Sequence, residues 1–266
     1  MSERDKFAVL RRTERVWAVA SIHGEAARLD ALHRGLETRF TTGDRLVYLG
    51  NHLGRGGAAG AAVDALLDFR RRLLARPAMF AYDIAYLRGS QEEMWQKLLQ
   101  LQFAPNPREV LGWMLDQGVG ATLAAYGGDV RQGQTCAGDG ALALTRWTVG
   151  LRAAMQARPG HYALMSALRQ AAYTDDQALL FVNAGIDPDR PLSAQSDSLW
   201  WGAAGFARLD HPYGEFRRVV RGFDRAHAGV QIGAYTASLD AGCGFGGPLV
   251  AACFDLAGEI VDLIEA

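Results

Sequence analysis

Three apolar runs, each closed by a glycine-containing turn and followed by residues at helical spacing, constrain this chain's fold more than any other feature. Val16 to Ala20 (VWAVA) leads to the turn His23-Gly24, after which Ala27, Leu29 and Leu32 recur within Glu25 to Leu36. Arg45 to Leu49 (RLVYL) ends at Gly50, and beyond a glycine-rich stretch Ala61 to Leu74 (AAVDALLDFRRRLL) repeats the helical period. Phe80 to Leu87 is the third run, with a third helix opening at Gln91. Apolar runs alternating with helices predict parallel strands, because a parallel pair needs a crossover long enough to hold a helix. In such sheets ligands sit beyond the C-terminal ends of the strands. The turns after the three runs are therefore where function is expected.

From Gln91 to about Ala172 the period is mainly helical (EEMWQKLLQLQ, PREVLGWMLDQ, ALALTRWTVGLRAAMQ, GHYALMSALRQA), punctuated by Pro105, Pro107 and the stretch Gly127 to Gly140. This predicts a helical insertion over 91–172. Strands return at Ala178 to Val182, Arg218 to Val220, Gln231 to Leu239 and Pro248 to Phe254, close together, which predicts a second and largely antiparallel sheet. The expected fold is α/β: a two-sheet sandwich with flanking helices and a helical insertion, in one domain over 1–266. With 28 basic and 29 acidic residues the net charge is -1, so neither nucleic acid nor an anionic membrane is a predicted partner. No run approaches the ~20 apolar residues of a membrane span, and the start MSERDKFAVLRRTER has no leader-like apolar stretch, so a cytoplasmic location is expected. Cys136, Cys243 and Cys253 are widely separated, with no C-x-x-C pair, and suggest neither a disulfide framework nor a zinc site.

The turn sequences carry a resemblance. Ala20-Ser21-Ile22-His23-Gly24 is similar to G-D-x-H-G, Leu49-Gly50-Asn51-His52-Leu53-Gly54-Arg55-Gly56 to L-G-D-x-x-D-R-G, and Leu87-Arg88-Gly89-Ser90-Gln91-Glu92 to L-R-G-N-H-E. Leu180 to Ile186 (LFVNAGI) is similar to L-F-V-H-A-G-I, Val219 to Phe223 (VVRGF) to V-V-H-G-H, and Leu239 to Gly247 (LDAGCGFGG) to I-D-T-G-A-x-x-G-G. In this order the blocks, spanning roughly 16–262, resemble the calcineurin-like metallophosphoesterase superfamily, in its bacterial Ser/Thr phosphatase-like branch. Leu115 to Gly127 (LDQGVGATLAAYG) resembles that branch's L-x-x-G-G-x-x-T-L-x-x-Y-G, and Leu199-Trp200 its L-W-I-R.

In that family two divalent metals share a bridging Asp, generate a hydroxide nucleophile and clamp the phosphoryl oxygens. By the resemblance, the ligand positions are Ser21, His23, Asn51, Ser90, Gln91, Asn183 and Phe223, and only His23 retains a ligating side chain of the expected kind. Neutral side chains cannot offset the charge of two dications. The second Asp of the second block is Gly54, and the arginine expected after Leu-Trp is Gly202. The resemblance thus implies a pseudo-phosphatase with no metal cofactor. The vestigial residues are His23, Arg55 and Arg88.

Each survivor has two readings. His23 is a hydrogen-bonded turn histidine or a ligand remnant. Arg55 and Arg88 bind an anion, with Asn51 assisting, or tie turns together. Arg221 supplies fixed positive charge near the former metals or is a solvated rim residue. His23, His52 and Glu92 could form a relocated single-metal site. Three functional classes remain: a non-catalytic binding or regulatory module for a phosphorylated or acidic ligand or a protein partner, an active phosphoesterase with a rearranged or metal-free site built from Ser21 or Ser90 with His23 or His52, and a structural subunit packing through Trp95, Trp113 and Trp147.

Overall fold

The computed structural model describes residues 6–202 and 204–266. Two mixed sheets face each other. The first runs β11-β10-β2-β3-β4, where β2 is Arg15–Val19, β3 Asp44–Tyr48, β4 Ile84–Tyr86, β10 Val250–Asp255 and β11 Ile260–Glu265. β2, β3 and β4 are mutually parallel, as the three-run pattern predicts. The crossovers are α1 (Ala26–Arg39) and α2 (Ala59–Leu74). Leu29, Leu32, His33 and Leu36 of α1 are buried, the spacing of one helical face laid on a sheet. Val16 to Val19 are fully buried, as expected for a strand covered on both faces.

The second sheet runs β1-β5-β6-β7-β9-β8, with β1 Phe7–Leu10, β5 Ala171–Thr174, β6 Leu179–Val182, β7 Arg218–Arg221, β8 Gln231–Ile232 and β9 Thr236–Ser238. Period-2 alternation assigns its faces. Leu179 and Phe181 join the core between the sheets, where the Phe181 and Phe254 rings lie 6.3 Å apart. Leu180 and Val182 face outward into a second core with Trp200, Phe206 and Tyr213.

Several expectations need correction here. The second sheet is not largely antiparallel: β6, β7 and β9 are parallel, and only β5–β6 and β8–β9 are antiparallel pairs. The connections 183–217 and 222–235 are long enough to cross over, which reading the strands as close neighbours overlooked. Gln231 to Leu239 is two short strands, because Gly233 N donates to Thr236 O and closes a turn between them. β10 leaves the second sheet for the first, antiparallel to β2, with β11 beyond it. Phe80 to Leu87 is a strand only over Ile84–Tyr86. The Asp83 carboxylate accepts from Phe80 N and winds Ala81–Asp83 into a single turn. β1, inside the charged N-terminal stretch, pairs with β5.

Six helices fill the insertion: α3 (Ser90–Leu98), α4 (Pro107–Asp116), α5 (Val119–Ala125), α6 (Val130–Asp139), α7 (Ala141–Ala157) and α8 (His161–Ala167). α4 begins on Pro107, whose missing N–H is harmless in a first turn. Asp129 caps α6 by accepting from Gln132 N at 2.7 Å. The insertion ends before β5, so Ala171 and Ala172 belong to a strand and not to its last helix.

Candidate functional site

The C-terminal ends of β2, β3, β4, β6 and β7 meet on one side of the sandwich, and their turns are stitched together by backbone. Ile22 and His23 N–H groups both donate to Asn51 O, Ser21 N donates to Gly222 O, and Gly222 and Phe223 N–H groups donate to Asn183 O. The turns that carry the former ligand positions are thereby brought together, and of those positions His23, Ser90, Gln91 and Phe223 line one cleft.

Beneath that cleft lies a buried network of neutral side chains, in which Asn183 Oδ1 is left without a partner. Asn51 is fully buried and adopts a positive φ of 51°, a conformation that asparagine tolerates better than most residues. Its Nδ2 donates to Ser21 Oγ at 3.2 Å, while its Oδ1 accepts from Ser90 Oγ at 3.2 Å and Gln91 N at 3.0 Å. Asn183 Nδ2 donates to Leu49 O at 2.6 Å. Gly54, with φ 126°, leaves the space where Gln91 lies: a Cβ there would fall 2.9 Å from the Gln91 side chain and 3.0 Å from His23 Nδ1. Gln91 in turn donates through Nε2 to Gln117 O, linking the cleft to the insertion.

His23 is 2% exposed, and neither ring nitrogen has a hydrogen-bond partner. Burial, reinforced by the nearby Arg55 charge and the neighbouring His227, lowers its pKa to about 3, so the ring is neutral at physiological pH. It packs on Phe223 and Phe245, with centroids 5.7 and 5.3 Å away. His52 is directed elsewhere: its Nε2 is 2.9 Å from Leu87 O, its ring meets the stacked Tyr48 and Tyr86 rings edge-on, and burial lowers its pKa. Glu92 accepts from Asn51 N and Gly89 N at 2.8 Å and from Leu53 N at 3.0 Å. The single-metal trio His23, His52 and Glu92 is therefore not assembled. Among the described residues no three His, Cys, Asp or Glu side chains converge as a metal site. The donor set does not fit two metals, since the one side chain at the bridging position is an amide with both ends engaged.

The arginines separate. Arg55 lines the cleft, its guanidinium 4.7 Å from the Phe245 ring centre and Nη2 donating to Asp116 O at 3.3 Å. Arg88, expected to anchor an anion there, instead pairs with Glu93 at 2.9 Å and lines a different cavity with Trp95, Arg152 and Tyr162. Arg221 pairs with Asp224 at 2.6 Å and lies 4.3 Å from the Phe206 ring centre, in an adjoining cavity of about 290 Å³. Burial lowers its pKa against the opposing pull of Asp224 and Asp240.

The main cleft encloses about 380 Å³. Sequence reasoning missed several of its lining residues: Trp201, Arg225 and His227, with Trp113 named only as a packing residue. His227 Nδ1 lies 2.9 Å from Asp240 Oδ2, and Asp240 also accepts from Asp224 N and Gly242 N. A carboxylate only accepts, so the proton sits on Nδ1. The signal available in the sequence was an Asp in the last block and a His four residues beyond Phe223, which no spacing rule connects. Trp95 and Trp147 are buried, whereas Trp113 is 46% exposed, so a tryptophan-rich packing face is not formed. Cys243 donates to Ile22 O at 3.3 Å behind the site, and burial pushes its pKa up to about 12, leaving an inert thiol.

No family model matches the chain, and no curated protein matches it. Solved structures do. One described as a diadenosine tetraphosphatase is 22% identical over 98% of both chains, with a TM-score of 0.59. A protein serine/threonine phosphatase from Saccharomyces cerevisiae with similarity to human phosphatase PP5 is 14% identical, over 99% of this chain and 84% of that one, with a TM-score of 0.50. A mutant cold-active protein tyrosine phosphatase is 12% identical, over 98% and 85%, with a TM-score of 0.51.

Proposed function

Starting from a fold that is that of the calcineurin-like metallophosphoesterases, we propose that this chain is a pseudo-phosphatase: a non-catalytic binding or regulatory module. One observation carries the reading. The Asn51 amide, with Ser21, Ser90 and the Gln91 backbone, forms a satisfied neutral network where the fold's metals would need anionic ligands. A phosphoryl group entering this cleft meets arginine but, among the described residues, no anionic ligand set that would hold a metal to generate a nucleophile. The ligand is a phosphorylated or acidic molecule, and the module is cytoplasmic; among the described residues no helix is long and apolar enough to cross a membrane. The test is metal analysis of the purified protein with phosphate-ester turnover measured across manganese, magnesium, zinc and iron. Neither stoichiometric metal nor turnover is expected, and metal-dependent turnover lost on changing His23 would overturn the proposal.

A second reading, an active phosphoesterase with a metal-free site, is favoured by the His227–Asp240 pair at the cleft wall, since a carboxylate-held imidazole is the form general bases take. Turnover that survives chelator and is lost in His227→Asn would establish it instead.

A further inference from the structure

The cleft combines features that no single simple ligand class satisfies. Trp113 of α4 and Trp201 of α9 (Ser198–Trp201) stand at its wall, with ring centroids 5.6 Å apart and planes tilted by 54°. Trp113 keeps nearly half its surface exposed beside Trp201, an apolar face open to the cleft. Arg55 and Arg225 also line the cleft. Arg55 has a backbone carbonyl and a ring but no acidic partner, the Arg225 side chain makes no ion pair or hydrogen bond among the described residues, and no carboxylate of the described residues lines the cleft. His23 and Gln91 also line it, both at most 4% exposed, though the imidazole nitrogens and Gln91 Oε1 are themselves closed off from the cleft's solvent.

These facts select by elimination. A cation is repelled by the two guanidinium groups. An apolar molecule would desolvate the two guanidinium groups without giving them a counter-charge. A small inorganic anion leaves the indoles uncovered. We propose that the cleft binds a planar aromatic anion, its ring lying against Trp113 and Trp201 and its anionic group held by Arg55 and Arg225. This rests on reading the cleft as a binding site and adds what it binds. Aromatic stacking supplies selectivity and the arginines supply charge, so the two contributions separate in variants.

Calorimetric titration with phenyl phosphate and with ethyl phosphate distinguishes them, since the two share an anionic group and only one has a ring. Phenyl phosphate is expected to bind roughly tenfold tighter, in line with the worth of a single stacked ring. Trp113→Ala, at a half-exposed position, should remove that preference and leave ethyl phosphate binding unchanged. Arg225→Ala, on the exposed rim, should weaken both ligands alike. Equal affinities, binding of neither ligand, a preference that persists in Trp113→Ala, or undiminished binding in Arg225→Ala would overturn the proposal. Phenol release in the same cell would overturn the non-catalytic reading alone, because ligand preference is read from the affinities.

Discussion

At the scale of single residues, Asn51 carries the argument. Its amide is the hub joining three turns, so Asn51→Ala leaves Ser21, Ser90 and Gln91 N without that partner where they are buried. A loss of about 2–3 kcal/mol in denaturant-measured stability is expected, from unsatisfied groups and from the positive φ that alanine disfavours. His33 gives a pH test remote from the cleft. Its ring stacks on Phe69 at 4.0 Å and shares a 2.8 Å hydrogen bond with Tyr48, and burial lowers its pKa to about 3. Between pH 6.5 and 4.5 the unfolded chain takes up a proton at this site that the folded chain refuses, so stability falls as pH falls. The loss approaches about 2–3 kcal/mol across that interval. His23 acts with the same sign. Urea midpoints against pH should show this decline, with a shallower acid limb in His33→Leu even though that variant starts lower, its Tyr48 hydroxyl having lost a partner.

At the scale of elements, α3 does the positioning. Its Glu92 carboxylate gathers the N–H groups of Gly89, Asn51 and Leu53, so one helix start holds the turn after β3 against the turn after β4. Glu92→Ala should cost about 3 kcal/mol or more, because charge-assisted bonds to buried amides are lost together. Arg88 offers the contrast. Its pair with Glu93 is partly exposed, at 26% and 13%, so Arg88→Ala should change stability by under ~1 kcal/mol. Arg88→Ala should also leave phosphate-ester binding at the cleft intact, a result calorimetry can check. The strands were legible where burial on both faces made unbroken apolar runs, as in β2 and β3. They were misread where register and partner choice depended on distant segments: nothing in Val250 to Phe254 states that it pairs with β2 and not with β9.

At the scale of the whole molecule, the core between the sheets and the outer core under Trp200 hold the sandwich without help from the cleft. Treatment with chelator should therefore leave the thermal midpoint unchanged, and a marked drop in scanning calorimetry would reveal a structural metal. The sequence by itself determined the alternation of strand and helix, the place of the turns, the order of the blocks and the identity of the neutral residues within them, because these follow from local period and residue chemistry. Only the tertiary structure decided which of those residues share a surface. It separated Arg88 and His52 from the cleft, and it brought Trp113, Trp201, Arg225 and His227, held from behind by Asp240, to its wall. The physical reason is that a side chain's direction is set by the partners it finds, Glu93 for Arg88 and Leu87 O for His52, and those partners are chosen by packing between elements.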